Sequence, residues 1–228
     1  VTLYLIQCFL IKFFAKNIVS NKSLTLIDSF ILDKNLKEKP YYGSLFRYIK
    51  KYRHIYFVPT IIENNIFRFI SIIKNLNKSK NFLFKEKFLD YKDFFYSIFY
   101  LFRKKQLKGK FRSYENYDLS LIINEEIELC QNLYSILLSF NNYNFIRKLK
   151  LNNIKIKKSV NWFENQSLDK AWNYGFRKYY KNTKLIGYQG FTNYPEYMCL
   201  NPTIFEEKCK MIPKQISVIN KSYKNLRK

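Results

Sequence analysis

From about residue 154 the chain alternates strand, helix, strand, helix and strand patterns, which predicts an α/β fold on a parallel sheet. Two further observations agree. The run His54-Ile55-Tyr56-Phe57-Val58-Pro59 is apolar, aromatic and β-branched, as in a parallel strand buried on both faces. Polar residues also gather where such runs end, and open α/β sheets bind ligands at the carboxyl ends of their strands. The expected fold is a Rossmann-like parallel sheet with helices on both faces and a helical insertion at about residues 60–150.

The elements follow in order. Leu5, Phe9, Lys12, Phe13 and Lys16 stand at helical spacing, so residues 1–17 predict a helix. Residues 23–32 form a short apolar run holding Asp28, read as a strand, and the polar stretch 33–43 with Pro40 and Gly43 as a loop. Residues 44–53 predict a short helix. Pro59 is expected to stop the second strand and Thr60 to cap a helix running to about Asn77. Phe84, Phe88, Tyr91, Phe94, Phe95, Ile98 and Leu101 make a wide apolar stripe, predicting one helix over 82–108. Helices over 118–140 and 144–150 follow. Then come strand 155–163, helix 167–180, strand 184–188, helix 202–211 and strand 215–219. Asn201 is the expected N-cap of that last helix, Pro202 its first residue and Pro213 its stop.

Composition narrows the function classes. The net charge of +24 suits nucleic acid, an anionic membrane surface or phosphorylated small substrates. The Lys residues are spread along the chain, with no zinc-finger spacing and no aromatic RNA-binding motif, so no specific nucleic acid is expected. Some of the Lys, Asn and Ile content also fits AT-rich codon drift. One His and four scattered Cys offer no metal set and no Ser-His-Asp triad, and the Cys are expected to be reduced. The apolar start, residues 1–14, is broken by Gln7 and Lys12 and is shorter than a spanning helix of about 20 residues. No G-x-G-x-x-G, P-loop or Asp-x-Asp is present, which argues against a dehydrogenase, an NTPase and a metal-dependent transferase.

Two strand ends carry the candidate chemistry. Trp162-Phe163-Glu164-Asn165-Gln166 closes one strand just before a helix, and Gly187-Tyr188-Gln189-Gly190-Phe191 closes the next. Glu164 could accept hydrogen bonds from sugar hydroxyls or take a proton from an attacking one, which makes it the catalytic candidate. It could equally serve only to complement the next helix's N-terminus. Asn165 and Gln166 offer donors and acceptors suited to polyols, with helix capping as the plainer role. Gln189 could bind a hydroxyl or phosphate, Tyr188 and Trp162 could face a sugar ring, and Gly190 would let backbone approach a ligand. Asp28, at the equivalent edge of the first strand, joins them as a binding candidate. Asp169 and Lys170 read as solvated or locally paired, Trp172 as core.

The runs Asn161-Trp162-Phe163-Glu164-Asn165-Gln166, Asp169-Lys170-Ala171, Asn173-Tyr174-Gly175-Phe176-Arg177 and Gly187-Tyr188-Gln189-Gly190-Phe191 resemble bacterial surface-carbohydrate (capsule or lipopolysaccharide) biosynthesis proteins of glycosyltransferase type. The resemblance is concentrated in residues 154–220. It implies one half of a GT-B architecture, with residues 1–220 as the N-terminal, acceptor-side domain and 221–228 as a basic linker toward a second domain. That half would bind no cofactor, and the nucleotide-sugar donor would sit on the other. The implied partner is a glycan or lipid-linked acceptor, with an anionic membrane surface nearby. The implied location is the cytoplasm, peripheral to the inner face of the membrane. This half alone would then be inactive. The rival expectations are a non-catalytic basic nucleic-acid-binding domain and a truncated, inactive remnant.

Overall fold

The computed structural model describes residues 1–17, 19, 23–31, 45–49, 52, 54–110, 117–129, 133–190 and 201–219. Among them lie five strands: β1 (Leu24–Ile31), β2 (Ile55–Ile61), β3 (Ile156–Trp162), β4 (Lys184–Gln189) and β5 (Gln215–Val218). They form one sheet in the order β2-β1-β3-β4-β5, and every pairing is parallel. This is a doubly wound, Rossmann-like arrangement whose switch point lies between β1 and β3. The helices are α1 (Thr2–Phe14), α2 (Leu45–Ile49), α3 (Ile66–Leu76), α4 (Tyr91–Ile98), α5 (Tyr100–Arg103), α6 (Ser120–Leu129), α7 (Leu133–Leu151), α8 (Ser167–Tyr179) and α9 (Ile204–Lys208). None of them is long and apolar enough to cross a membrane.

The period-2 alternation of the strands sorts their side chains onto two cores. Leu24, Leu26, Tyr56, Val58 and Leu185 pack with Leu137, Phe145 and Leu149 of α7 and Trp172 and Phe176 of α8. Ile27, Ile31, Phe57, Ile61 and Val160 turn the other way, toward Phe69, Ile72, Ile73 and Leu76 of α3. The register between β1 and β3 shifts at Leu24/Thr25: Ile156 pairs Leu24, but Lys158 pairs Thr25. Lys157 is thus an extra residue, a bulge that keeps Ile156 and Ser159 on the same face. Ser159 there accepts the Trp172 indole N–H at 3.0 Å, which pins α8 to β3.

Several local expectations are corrected. Pro59 lies inside β2, paired with Ser29, and the strand runs on to Ile61. Because β2 borders the sheet, the missing N–H of Pro59 costs no bond in the middle of the sheet. Asn65, not Thr60, caps the following helix by accepting from Arg68 N at 3.0 Å. The single helix over 82–108 is broken into a bridge at Phe82, a 3-10 turn at Lys85–Lys87, α4, α5 and a 3-10 turn at Lys104–Leu107. Phe82 bonds to the edge of β2, Phe57 N donating to Asn81 O and Leu83 N to Phe57 O, and Asp90 starts the helix afresh. Residues 133–151 form one helix, where a short basic helix over 144–150 was expected. The last helix is capped by Thr203, whose hydroxyl accepts from Glu206 N, rather than by Asn201. Of the cysteines, Cys8 and Cys209 are free thiols, and Cys130 and Cys199 lie outside the described residues.

Candidate functional site at the carboxyl edge

At the end of β3 the chain turns sharply into α8. Asn165 takes a left-handed conformation, φ 58°, which Asn tolerates better than most residues. The turn is held by Asp169, one turn into α8, whose carboxylate accepts from Glu164 N at 2.8 Å and from Gln166 N at 3.1 Å. Asp169 is therefore buried and bonded locally, the second of the two roles its position in the sequence suggested. Burial pushes its carboxyl up to about 8. The two backbone N–H groups oppose this, and the Asp28 and Glu164 carboxylates add to it.

Glu164 sits half-buried above this turn with both oxygens engaged. Oε1 accepts the Trp162 indole N–H at 2.7 Å, and Oε2 accepts the Gln166 amide at 2.7 Å. The Trp162 ring meets Tyr188 edge-on, with centroids 5.7 Å apart. Gly190 fits against this pair. A Cβ there would stand 2.6 Å from the Tyr188 ring and 2.8 Å from Trp162, so the glycine makes room for the protein's own rings. Gly187 is likewise filled against, by Pro213 and Phe163. The close backbone approach expected of these glycines is made by side chains of this chain.

Behind this rim lies a buried polar floor. Asp28, Asn161 and Gln189 follow Leu26, Ser159 and Leu185 by steps of two, so all three point to the α8 side. Asn161 is paired with Gly187 in β4, and its neighbour Val160 with Ile27, which brings Asp28 and Asn161 side by side at the switch point. Asn173, on the buried side of α8, completes the set. Among the described residues, Asp28 Oδ1 and both amide atoms of Asn161, Asn173 and Gln189 have no hydrogen-bond partner. Buried polar groups are usually paired, so such a cluster calls for a reason. Lys85, also fully buried, donates to Thr60 Oγ1 and Asn142 Oδ1 at 2.8 Å each. Burial raises the Asp28 carboxyl to about 6, and the Lys85 ammonium works against that rise.

A clamp from α9 closes the far side. Glu206 pairs with Lys170 Nζ at 2.6 Å and accepts the Asn165 amide at 3.2 and 3.3 Å and Thr203 N at 2.7 Å. Burial alone would raise the Glu206 carboxyl, but Lys170, Thr203 N and the Asn165 amide outweigh it and hold it down at about 2. Lys170 thus reaches across to another element rather than pairing locally.

The structure brings Glu164, Trp162, Gln166, Tyr188 and Gly190 together at the rim, with Asp28 and Gln189 beneath. Asn165 serves the turn and the Glu206 clamp. Residues 191–200, which follow Gly190 in the chain, lie outside the described residues. Sequence reasoning missed Lys85, Asn161, Asn173 and Glu206. A signal existed for Asn161 and Asn173, since both interrupt otherwise apolar faces at strand and helix spacing. None existed for Lys85, hidden in an aromatic stripe. A cleft of about 540 Å³ opens at the opposite, amino edge of the sheet around the start of β3 and β4. Comparison of the chain with protein-family models, curated proteins and solved structures found no match.

Proposed function

We propose that the carboxyl edge binds a hydroxyl-rich glycan, as the acceptor-side domain of a glycosyltransferase of bacterial surface-polysaccharide assembly. The observation that carries this reading is the switch-point cluster: Glu164, Gln166 and Tyr188 reachable at the rim, with Asp28, Asn161 and Gln189 behind them. Amides and carboxylates are the groups that match sugar hydroxyls, which donate and accept at once. In this reading Glu164, held in one orientation by Trp162 and Gln166, accepts from an acceptor hydroxyl and takes its proton during transfer. Tyr188 offers a ring face, and Gln189 orders the rim from below. The nucleotide-sugar donor belongs to a second domain, and the acceptor is a glycan or a lipid-linked sugar at the anionic inner face of the membrane.

The test is saturation-transfer NMR of the chain against a panel of neutral and acidic oligosaccharides. Binding that weakens in Glu164→Gln and in Tyr188→Ala, with the melting temperature kept, supports the site. No glycan contact across the panel, or contact untouched by both variants, overturns it.

A further inference from the structure

The amino edge of the same sheet presents a different chemistry. Its cleft of about 540 Å³ is lined by Lys150, Lys155, Lys178 and Lys181, with Tyr179 and Tyr180 as walls, and among the described residues no Asp or Glu takes part. None of the four lysines pairs with a carboxylate among the described residues. Lys150 and Lys178 close α7 and α8, where the helix dipole favours a cation. That explanation does not reach Lys155, ahead of β3, or Lys181, in the turn after α8. Lys178 Nζ donates to the Tyr143 hydroxyl at 2.9 Å, but among the described residues Lys150, Lys155 and Lys181 have no such partner. Like charges around one concavity repel each other, and a multivalent anion would relieve that repulsion.

The cleft is also preformed. The Tyr180 hydroxyl donates to Ile154 O at 2.9 Å and the Thr183 hydroxyl to Ile156 O at 2.7 Å, which ties the α8–β4 turn to the start of β3. Lys214 Nζ holds the same turn through Lys181 O and Thr183 O. Its volume falls in the range of small-molecule sites, about 300–1,000 Å³. A convergent, walled cleft suits a compact ligand better than a polymer, which needs a basic stripe running along a surface.

We propose that this cleft binds a small anion bearing two or more phosphoryl groups, held by Lys155 and Lys181 with Lys150 and Lys178 as flanking charges. The site lies at the opposite edge from the glycan site and stands or falls independently of it. The experiment is isothermal titration of the chain with inorganic diphosphate at ~0.1 M salt, where generic surface attraction is largely screened. One saturable site is expected, with affinity at least about 10-fold above that for inorganic monophosphate. The Lys155→Ala/Lys181→Ala variant should lose about 10-fold or more while melting at the same temperature. If that variant folds poorly, Lys155→Gln alone, with a smaller loss, serves instead. Adenosine diphosphate is the second probe: tighter binding than diphosphate gives the tyrosine wall a role against a base, and equal binding confines recognition to the phosphates. Both results support the site. Absence of saturable binding, equal binding of monophosphate, or no loss in the variant overturns it. So does binding of a single-stranded RNA oligomer, but not of diphosphate, that depends on the same lysines.

Discussion

At the carboxyl edge of the sheet, Asp28, Glu164, Asp169 and Glu206 are set among amides and against Lys85 and Lys170. At the amino edge, Lys150, Lys155, Lys178 and Lys181 ring a cleft that no carboxylate among the described residues lines. At the first edge Glu164, Asp169 and Glu206 are bonded within the chain, so these charges hold the fold in place. The second is exposed, so its charges cost the fold little and are available to a ligand. The same residue type behaves differently in the two places. Lys85 is enclosed by Thr60 and Asn142, while Lys155 and Lys181 face solvent.

That contrast can be broken by mutation. The largest effect is expected for Lys85→Met, which leaves Asp28, Thr60 and Asn142 buried without their cation. A loss of ~3–5 kcal/mol in urea unfolding is predicted, and a loss under ~1 kcal/mol would show that the buried charge is dispensable. Gly190→Ala comes next. Its Cβ must displace Trp162 or Tyr188, so a cost of ~1–3 kcal/mol is expected, together with a changed Trp fluorescence spectrum.

Glu206→Gln should cost ~1–2 kcal/mol near neutral pH by weakening the Lys170 pair and the Asn165 contact. Its pH dependence has a definite sign. The folded-state value lies below the ordinary one, so the stabilisation is present above about pH 4 and is lost as pH falls toward about 2. Asp169 has the opposite sign. Its carboxyl is raised, so its contribution is full below about pH 4 and is lost as pH climbs toward about 8, with Asp28 acting the same way up to about 6. Unfolding midpoints measured from pH 4 to 8 should therefore fall with pH, and Asp169→Asn should flatten the slope. The smallest effect sharpens the contrast: Lys181→Gln at the amino edge should change stability by no more than ~0.5 kcal/mol. A large loss there would mean that the basic edge is structural too.

The strands of the C-terminal half were legible because β3, β4 and β5 alternate with helices of ordinary amphipathic period. The 82–108 segment was not, because aromatic residues at helical spacing fit a broken chain as well as a continuous helix. Only the bridge from Phe82 to β2 and the capping at Asp90 decide between them. The rim residues Glu164, Gln166 and Tyr188 were legible as polar tips of strands. The floor was not, because Asp28 and Asn161 are 133 positions apart and become neighbours only through the parallel pairing of β1 with β3.

By itself the sequence determined the α/β class, the strand ends that carry polar groups and the absence of a long apolar span, since these depend on local period and composition. Tertiary structure alone decided that Lys85 is enclosed, that Glu206 clamps the turn at Asn165, that the glycines are filled by Trp162, Tyr188 and Phe163, and that lysines from α7, α8, the lead into β3 and the α8–β4 turn share one cleft. Burial and long-range proximity set those outcomes, and neither is written in the spacing of residues along a chain.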